Sequence, residues 1–523
     1  MNEKFSLINR GNYSNILDKI CDSVNFSHTY IRKNNEVSSV SLREIKRFTK
    51  FFDFFLNIIK RRKEIENNYK IFAEKIKYFV EEITEEQKKE NIIFLKAANL
   101  SLFISYYLRI IDPKKRKELA RNLTEIFEFD FLEYPLELEN VLANNVSIDK
   151  GIAKNNALLD NLFSMFVCLN NKIPIFICGK AGFSKSLSFS LLYQSMNGEY
   201  SKSALLKNYP KIFLTSYQGS LTSTSAEIKK IFNIAKKVAK YKSKQKGKQS
   251  LSVILFDEMG LAEISPNNPL KVIHSELDEN DDNKNDIGFV GISNWALDAS
   301  KMNRGVHLSI QEPELNDLIL TAETISSNIY EGIKNIDPFI EIIRNLTKSY
   351  HDYKEHLKLK YSLSYDFHGA RDFYYLIRIA AKLLKNNNNN ISSENIAMES
   401  IERNFGGLEL DLEDNTKWSS TKKFKQIFSG HQKNNIQNID KYDVFSCIYK
   451  NLTEENNRYL LLMTDRTKSD TLIEFILKKL NLNFRFIQGS KLKEDQNEQY
   501  TLQKAYSIIL SMEKGEVIIL KDL

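Results

Sequence analysis

The octapeptide GKAGFSKS, residues 179–186, follows the apolar run IPIFIC. Its residue types suit phosphate binding. Glycines let backbone N–H groups curl toward an anion at a helix N-terminus, a lysine supplies charge for the β and γ phosphates, and a serine hydroxyl can ligate Mg2+. Gly179, Gly182, Lys185 and Ser186 meet these demands, with Lys180, Ala181, Phe183 and Ser184 completing the loop. The pattern GxxxxGK[ST] asks for glycine before the lysine. Ser184 stands there instead, which costs backbone freedom but removes no phosphate ligand. Alone, the loop is as compatible with a chance run of small residues before a helix.

A second stretch decides between these readings. VILFDE, ending at Glu258, sets two acids at the carboxyl end of an apolar run, where open parallel sheets bind ligands. Asp257 is expected to hold Mg2+ through water and Glu258 to orient and deprotonate an attacking water. Asn294, after GFVGIS, is either a turn residue before Trp295 or a partner for that water and the γ-phosphate. Arg304, in ALDASKMNRG, is either a surface arginine or a finger aimed at a neighbour's nucleotide. Arg371, in GARDFYYL, starts a helix and either caps the surface or folds down onto the γ-phosphate.

These residues need a scaffold, and the pattern predicts one. Five short apolar runs read as strands: 173–178, 211–217, 251–258, 287–294 and 305–310. Helical segments separate them, so a doubly wound parallel sheet is expected. Thr224 and Glu227 stand at capping-box spacing before a helix. Residues before about 135 read as helical. The aromatic SLREIKRFTKFFDFFLNIIKRR is expected to bury its apolar face in a helical region rather than lie on a membrane. Residues from about 312 to 408 are helical again, and strand signals resume at NRYLLLMT, FRFIQG and GEVIILKDL.

With 523 residues, 42% hydrophobic and 27% charged, the chain has a globular composition and room for several cores. No apolar run reads as a bilayer span and no signal peptide is apparent, so a cytoplasmic protein is expected. Cysteines 21, 168, 178 and 447 form no CxxC pair, which excludes a zinc ribbon, a RING or a disulfide framework from this segment. DENDDNKNDIGF opens like a calcium loop, but Asn283 and Phe289 stand where glycine and glutamate are needed. The net charge of +8 includes seven lysines in KKVAKYKSKQKGK, which read as a solvated helix end. No specific nucleic-acid partner is expected.

The order of these motifs resembles an AAA+ ATPase module. GKAGFSKS, FDEMGLAEISPNNPLKVIH, GFVGISNWALDASKMNRG and HGARDFYYLI resemble the ATP-binding AAA+ core of the mysterin family, giant proteins whose fused AAA+ modules share a chain with a RING-type ubiquitin ligase. The resemblance implies ATP and Mg2+ as cofactors. It implies Lys185 and Ser186 as phosphate and Mg2+ ligands, Asp257 and Glu258 as the Walker B pair and Asn294 as sensor 1. It also implies Arg304 as the finger and Arg371 as sensor 2. SKS is the family's own form of the loop, and Ala181 replaces its usual proline.

The same resemblance divides the chain. Residues 1–62 would be the helical end of a preceding module with Arg43 in its sensor position, 63–146 a helical linker, 147–325 the large α/β domain and 326–408 a small helical lid. Residues 409–456 would be a linker and 457–523 the start of a degenerate following module, whose loop TDRTKSDT lacks glycine and whose Leu523 replaces the Walker B glutamate. The chain then reads as part of a longer protein, its partners neighbouring modules or a second copy. Two alternatives stay open: a non-hydrolysing nucleotide-binding scaffold, and a module of another tandem AAA+ motor of the dynein type.

Overall fold

The computed structural model describes residues 14–34, 40–60, 86–243, 249–277, 287–331, 336–386, 392–411, 417–431, 444–454, 459–462, 469–490, 492 and 498–521. The acidic stretch 278–286, the end of the lysine run at 244–248, the asparagines 387–390 and most of TDRTKSDT lie outside them.

Five strands form one parallel sheet: β1 (Ile175–Cys178), β2 (Lys211–Gln218), β3 (Ser250–Asp257), β4 (Ile287–Ser293) and β5 (Val306–Ser309). Their order is β2-β3-β4-β1-β5. β1 and β4 are buried along their whole length, as unbroken apolar runs in a sheet covered on both faces require. Each of the five segments expected as a strand is one, with ends shifted by one or two residues. The Thr224–Glu227 capping box forms as well: Thr224 N donates to Glu227 Oε2 at 2.9 Å, and Glu227 N to Thr224 Oγ1 at 3.3 Å.

The strand order fixes the site. β4 lies between β1 and β3, so the loop leaving β1, the acids ending β3 and the residue ending β4 emerge side by side at the carboxyl edge. In register, Cys178 pairs with Ser293, and Gly179 N donates to Ser293 O at 3.2 Å.

The chain divides into two compact units, residues 1–400 with 423–435 and residues 401–422 with 436–523. In the first, the helices before residue 146 share one apolar core with the sheet. Phe55 and Phe103 both reach Phe163, on the helix Asn156–Asn170, with ring centroids 6.3 Å apart in each case. Phe48, Phe51 and Phe55 are fully buried, so the aromatic face of Leu42–Lys60 is core. One correction concerns membranes. Residues Ile92–Arg109 are long and apolar enough to cross a bilayer, contrary to the reading of the sequence, yet 83% of the stretch is buried in this helical core.

In the second unit, β8 (Phe484–Gln488) and β9 (Val517–Lys521) pair in parallel, with a short antiparallel pair, β6 (Glu409–Asp411) and β7 (Lys417–Ser419), elsewhere in it. Of the expected strand NRYLLLMT, 457–464, only residues 459–462 are described, and they are not a strand: Tyr459 is 99% exposed and Leu461 79%, and no described strand or helix covers them to hold a ladder.

Candidate phosphate-binding site

The loop 179–186 bends through two left-handed residues. Gly182 has φ +92° and Ser184 φ +54°, so the position where glycine is usual keeps the glycine-like conformation with a serine in it. The Ser184 hydroxyl makes no capping bond, and the strain of about 1 kcal/mol or more is carried by the surrounding fold. Lys185 opens the helix Lys185–Ser195 and turns inward, 7% exposed. Its Nζ donates to Gly179 O, to Lys180 O at 2.9 Å and to Asn294 Oδ1 at 3.0 Å. Burial pushes its pKa down to about 8, against the pull of Glu258 and Asp257 in the opposite direction.

The acids of β3 sit across from it. Ser186 Oγ donates to Asp257 Oδ2 at 2.9 Å, and Asn294 Nδ2 donates to Glu258 Oε2, also at 2.9 Å. Asn294 is therefore one side chain shared by the lysine and the glutamate. Because Lys185 has only protons to offer, the Asn294 amide must turn its oxygen to Lys185 and its nitrogen to Glu258. Glu258 also adopts a left-handed backbone, φ +52°, and its N–H donates to Asp257 Oδ1 at 2.9 Å. Gly219, at the end of β2, makes room for this turn: a Cβ there would lie 2.3 Å from Glu258 O. The sequence reading passed over Gly219, whose role depends on β2 and β3 being neighbours.

The helical region after β5 covers the loop. Arg371 stands exposed in the first turn of the helix Ala370–Asn386, and its charge contributes to lowering the Lys185 pKa. A Cβ on Gly182 would approach Ala370 Cβ to 3.0 Å and Arg371 N to 3.4 Å, so this helix end packs directly on the loop. Tyr374 Oη donates to Gly182 O at 2.9 Å. Lys180 meets Asp366 and Glu312, each at 2.6 Å, and lies 4.4 Å from the Tyr365 ring centre. Phe183 is anchored from below, its carbonyl accepting from Asn161 Nδ2 at 3.3 Å. Between sheet and helical region lies a cleft of about 910 Å³, lined by Gly179, Lys180, Ala181, Phe183, Asn294 and Tyr365 among others. Its volume falls within the range of small-molecule sites. Tyr374, Glu312 and Asp366 were not singled out from the sequence, because nothing in their spacing announces which loop they reach.

Arg304 is elsewhere. It precedes β5, and the N–H of Val306 donates to Pro174 O at 2.7 Å, so Arg304 belongs to the amino edge of the sheet. The loop 179–186 leaves the carboxyl edge, the length of four-residue β1 away, about 13 Å. At that amino edge burial, then the charges of Arg304 and Lys301, push the His274 imidazole down. Among the described residues no group of three or more His, Cys, Asp and Glu side chains could hold a metal by itself.

Comparison with known proteins adds a family to this geometry. Residues 151–317 match a family model described as an RNF213 AAA domain, and residues 449–523 match a second model of the same description. The E3 ubiquitin-protein ligase rnf213-beta of Danio rerio is 32% identical over 454 residues, which is 83% of this chain and 8% of that protein. The human E3 ubiquitin-protein ligase RNF213 is 28% identical over 520 residues, 97% of this chain and 9% of its own length. The chain thus spans about a tenth or less of these relatives. Among solved structures, the Thermotoga maritima RuvB Holliday junction branch migration motor aligns with a TM-score of 0.29 at 10% identity, covering 57% of this chain and 72% of that one.

Proposed function

This chain belongs to the mysterin family, whose curated relatives carry the name RNF213, and on that premise we propose that its AAA+ module binds ATP with Mg2+ and hydrolyses it. Nucleotide state would change the module's conformation within a ring of neighbouring modules of a mysterin-like E3 ubiquitin ligase in the cytoplasm. The neighbours are modules of the same longer protein or a second copy of the chain.

The observation that carries the reading is the bridge from Lys185 through Asn294 to Glu258. It joins a phosphate-binding cation to a carboxylate that can accept a proton from water, through a side chain able to sense both. A pure scaffold needs the cation but not the carboxylate. In this reading Lys185 takes the β and γ phosphates, Asn294 orients Glu258 and the attacking water, and Glu258 accepts the water's proton. Arg371 meets the γ-phosphate from the helical side.

Ser186 and Asp257 fit Mg2+: two oxygen ligands of the kind a hard cation selects, already 2.9 Å apart. The bound ion would neutralise phosphate charge as the terminal phosphoryl group is transferred.

The test is ATP binding and turnover in the wild type, Lys185→Ala and Glu258→Gln. Lys185→Ala should lose affinity, and Glu258→Gln should keep it and lose turnover. If both bind ATP as the wild type does, the site is elsewhere. A wild type that binds ATP without turnover, even when crowded with its own copies, would favour the scaffold.

A further inference from the structure

The Lys185 ammonium has three protons, and three acceptors take them: Gly179 O, Lys180 O and Asn294 Oδ1. A phosphate oxygen that recruits Lys185 must displace at least one of the three. Two of them are carbonyls of the loop itself, and one belongs to Lys180. Any rearrangement of Lys185 is thereby felt at the backbone of Lys180, whose side chain points the other way, into the helical region.

That side chain is held by a cluster. Asp366 and Glu312 both meet Lys180 Nζ at 2.6 Å. Tyr365 lies under the ammonium and donates its hydroxyl to Glu312. Burial would raise the Glu312 pKa, but the bonds from Lys180 and Tyr365 hold it below the usual carboxylate range. The segment 365–369 is in turn fixed from within the helical region. Lys354 Nζ donates to His368 O at 3.0 Å and also to Tyr365 O, and Tyr353 Oη lies 2.9 Å from His368 Nδ1. Five residues beyond this segment, Tyr374 reaches back to Gly182 O at 2.9 Å, at the left-handed turn of the loop. The loop is therefore tied to the helical region at two points, Lys180 before its bend and Gly182 at the bend, and Arg371 lies between Asp366 and Tyr374 in sequence.

We propose that Lys180 and Tyr374 are positioning residues that couple the loop to the helical region, so that occupation of the loop sets where the helix carrying Arg371 rests. The proposal rests on the reading of residues 179–186 as a nucleotide site. Each tie alone is modest, one an exposed ion pair and the other a neutral hydrogen bond. One holds Asp366, in the segment that leads into the helix, and the other holds the helix itself, so removing both loosens the coupling without touching a phosphate ligand.

Hydrogen exchange on the full chain, with and without a non-hydrolysable ATP analogue and MgCl2, reads the coupling. In the wild type the ligand slows exchange both in residues 183–190 and in residues 370–386. In the double variant Lys180→Met, Tyr374→Phe the response of 183–190 persists, while that of 370–386 shrinks at least about fivefold. Tyr374→Phe alone is isosteric, keeps the fold and gives an intermediate response. Lys180→Arg, which keeps the ion pairs, retains the wild-type response; a loss equal to that of Lys180→Met would count against the ion-pair tie. If the double variant responds in 370–386 as fully as the wild type, the coupling proposal fails. If the wild type shows no response in 183–190, the nucleotide reading fails instead.

Discussion

Asn294 Nδ2 donates to Glu258 Oε2 across 2.9 Å, while the same amide's oxygen accepts from Lys185. One amide thus sets the rotamer of the carboxylate and the lysine together. Asn294→Ala leaves both in place but unlinked, with the loss falling on orientation. Turnover is expected to fall about 10²-fold or more, the scale of a lost positioned hydrogen-bonding group, with a much smaller change in the ATP dissociation constant. A variant whose affinity falls as far as its turnover would mark Asn294 as a binding residue only.

The Lys185 pKa, depressed to about 8 by burial, makes nucleotide binding a proton-linked event. A phosphate beside the ammonium favours the charged form, so binding raises that pKa. At pH 8 about half the free protein carries a neutral lysine, and binding takes up roughly half a proton. Affinity is expected to weaken as pH rises through 8. Calorimetry in buffers of different ionisation enthalpy checks the uptake at this pH, and Lys185→Arg, which cannot lose its charge there, should abolish this contribution.

His307 offers a pH effect on stability. It lies half-buried on β5, its Nε2 is 3.0 Å from Ser309 Oγ, and desolvation, with Arg109 adding to it, pushes its pKa down to about 3. The folded form holds the ring neutral, while the unfolded chain protonates it below about 6.5. The unfolded state therefore binds more protons in this window, and stability falls as pH drops from 6.5 toward 3. The contribution at pH 5 is about 2 kcal/mol. Urea midpoints of the wild type and His307→Gln, followed from pH 7 to 5, should converge by this amount; parallel curves would exclude the histidine.

The loop and sheet were legible for a physical reason, and so was the limit. Residues 173–178 and 251–258 are apolar runs ended by a glycine loop and by acids, and a parallel sheet leaves such runs only one place to put their carboxyl ends. Side by side, they need only the strand order to become a site. What the spacing does not carry is tertiary approach. Nothing local in DFYYL tells that Tyr374 rather than Tyr375 reaches Gly182, or that Asp366 lies beside Lys180, 186 residues earlier in sequence. The described residues 459–462 of the expected strand NRYLLLMT do not form one for the complementary reason: apolar content alone makes no ladder without a partner.

Ser184 makes a stability prediction from its backbone alone. At φ +54°, with no capping bond from its hydroxyl, it carries strain that glycine would not. Ser184→Gly relieves it, offset in part by the freedom glycine gains in the unfolded chain. A net stabilisation of about 0.5–1 kcal/mol is expected, read as a higher thermal midpoint. A lower midpoint would mean that the serine hydroxyl, not the loop geometry, governs the position.

The last prediction concerns Arg304, and it follows from the sheet. Arg304 sits at the amino edge, about the length of β1 from the loop at the carboxyl edge. A side chain cannot cross that distance through a packed sheet to its own module's nucleotide. The loop around it is stiffly held: buried Arg47 donates to Asn303 O and Gly305 O, both at 2.7 Å, on either side of Arg304. If Arg304 serves phosphoryl transfer, it serves a neighbour. Turnover per molecule should then rise with protein concentration as copies meet, and Arg304→Ala should flatten the rise. A finger is worth about 10³ to 10⁵ in rate in related phosphoryl transfer. Mixing sharpens the test. Lys185→Ala offers an intact Arg304 but no nucleotide, and Arg304→Ala offers a nucleotide but no finger. Together they should recover turnover that neither has alone. Fast turnover by Arg304→Ala, independent of concentration and unaffected by the partner variant, would show that Arg304 has no part in the reaction.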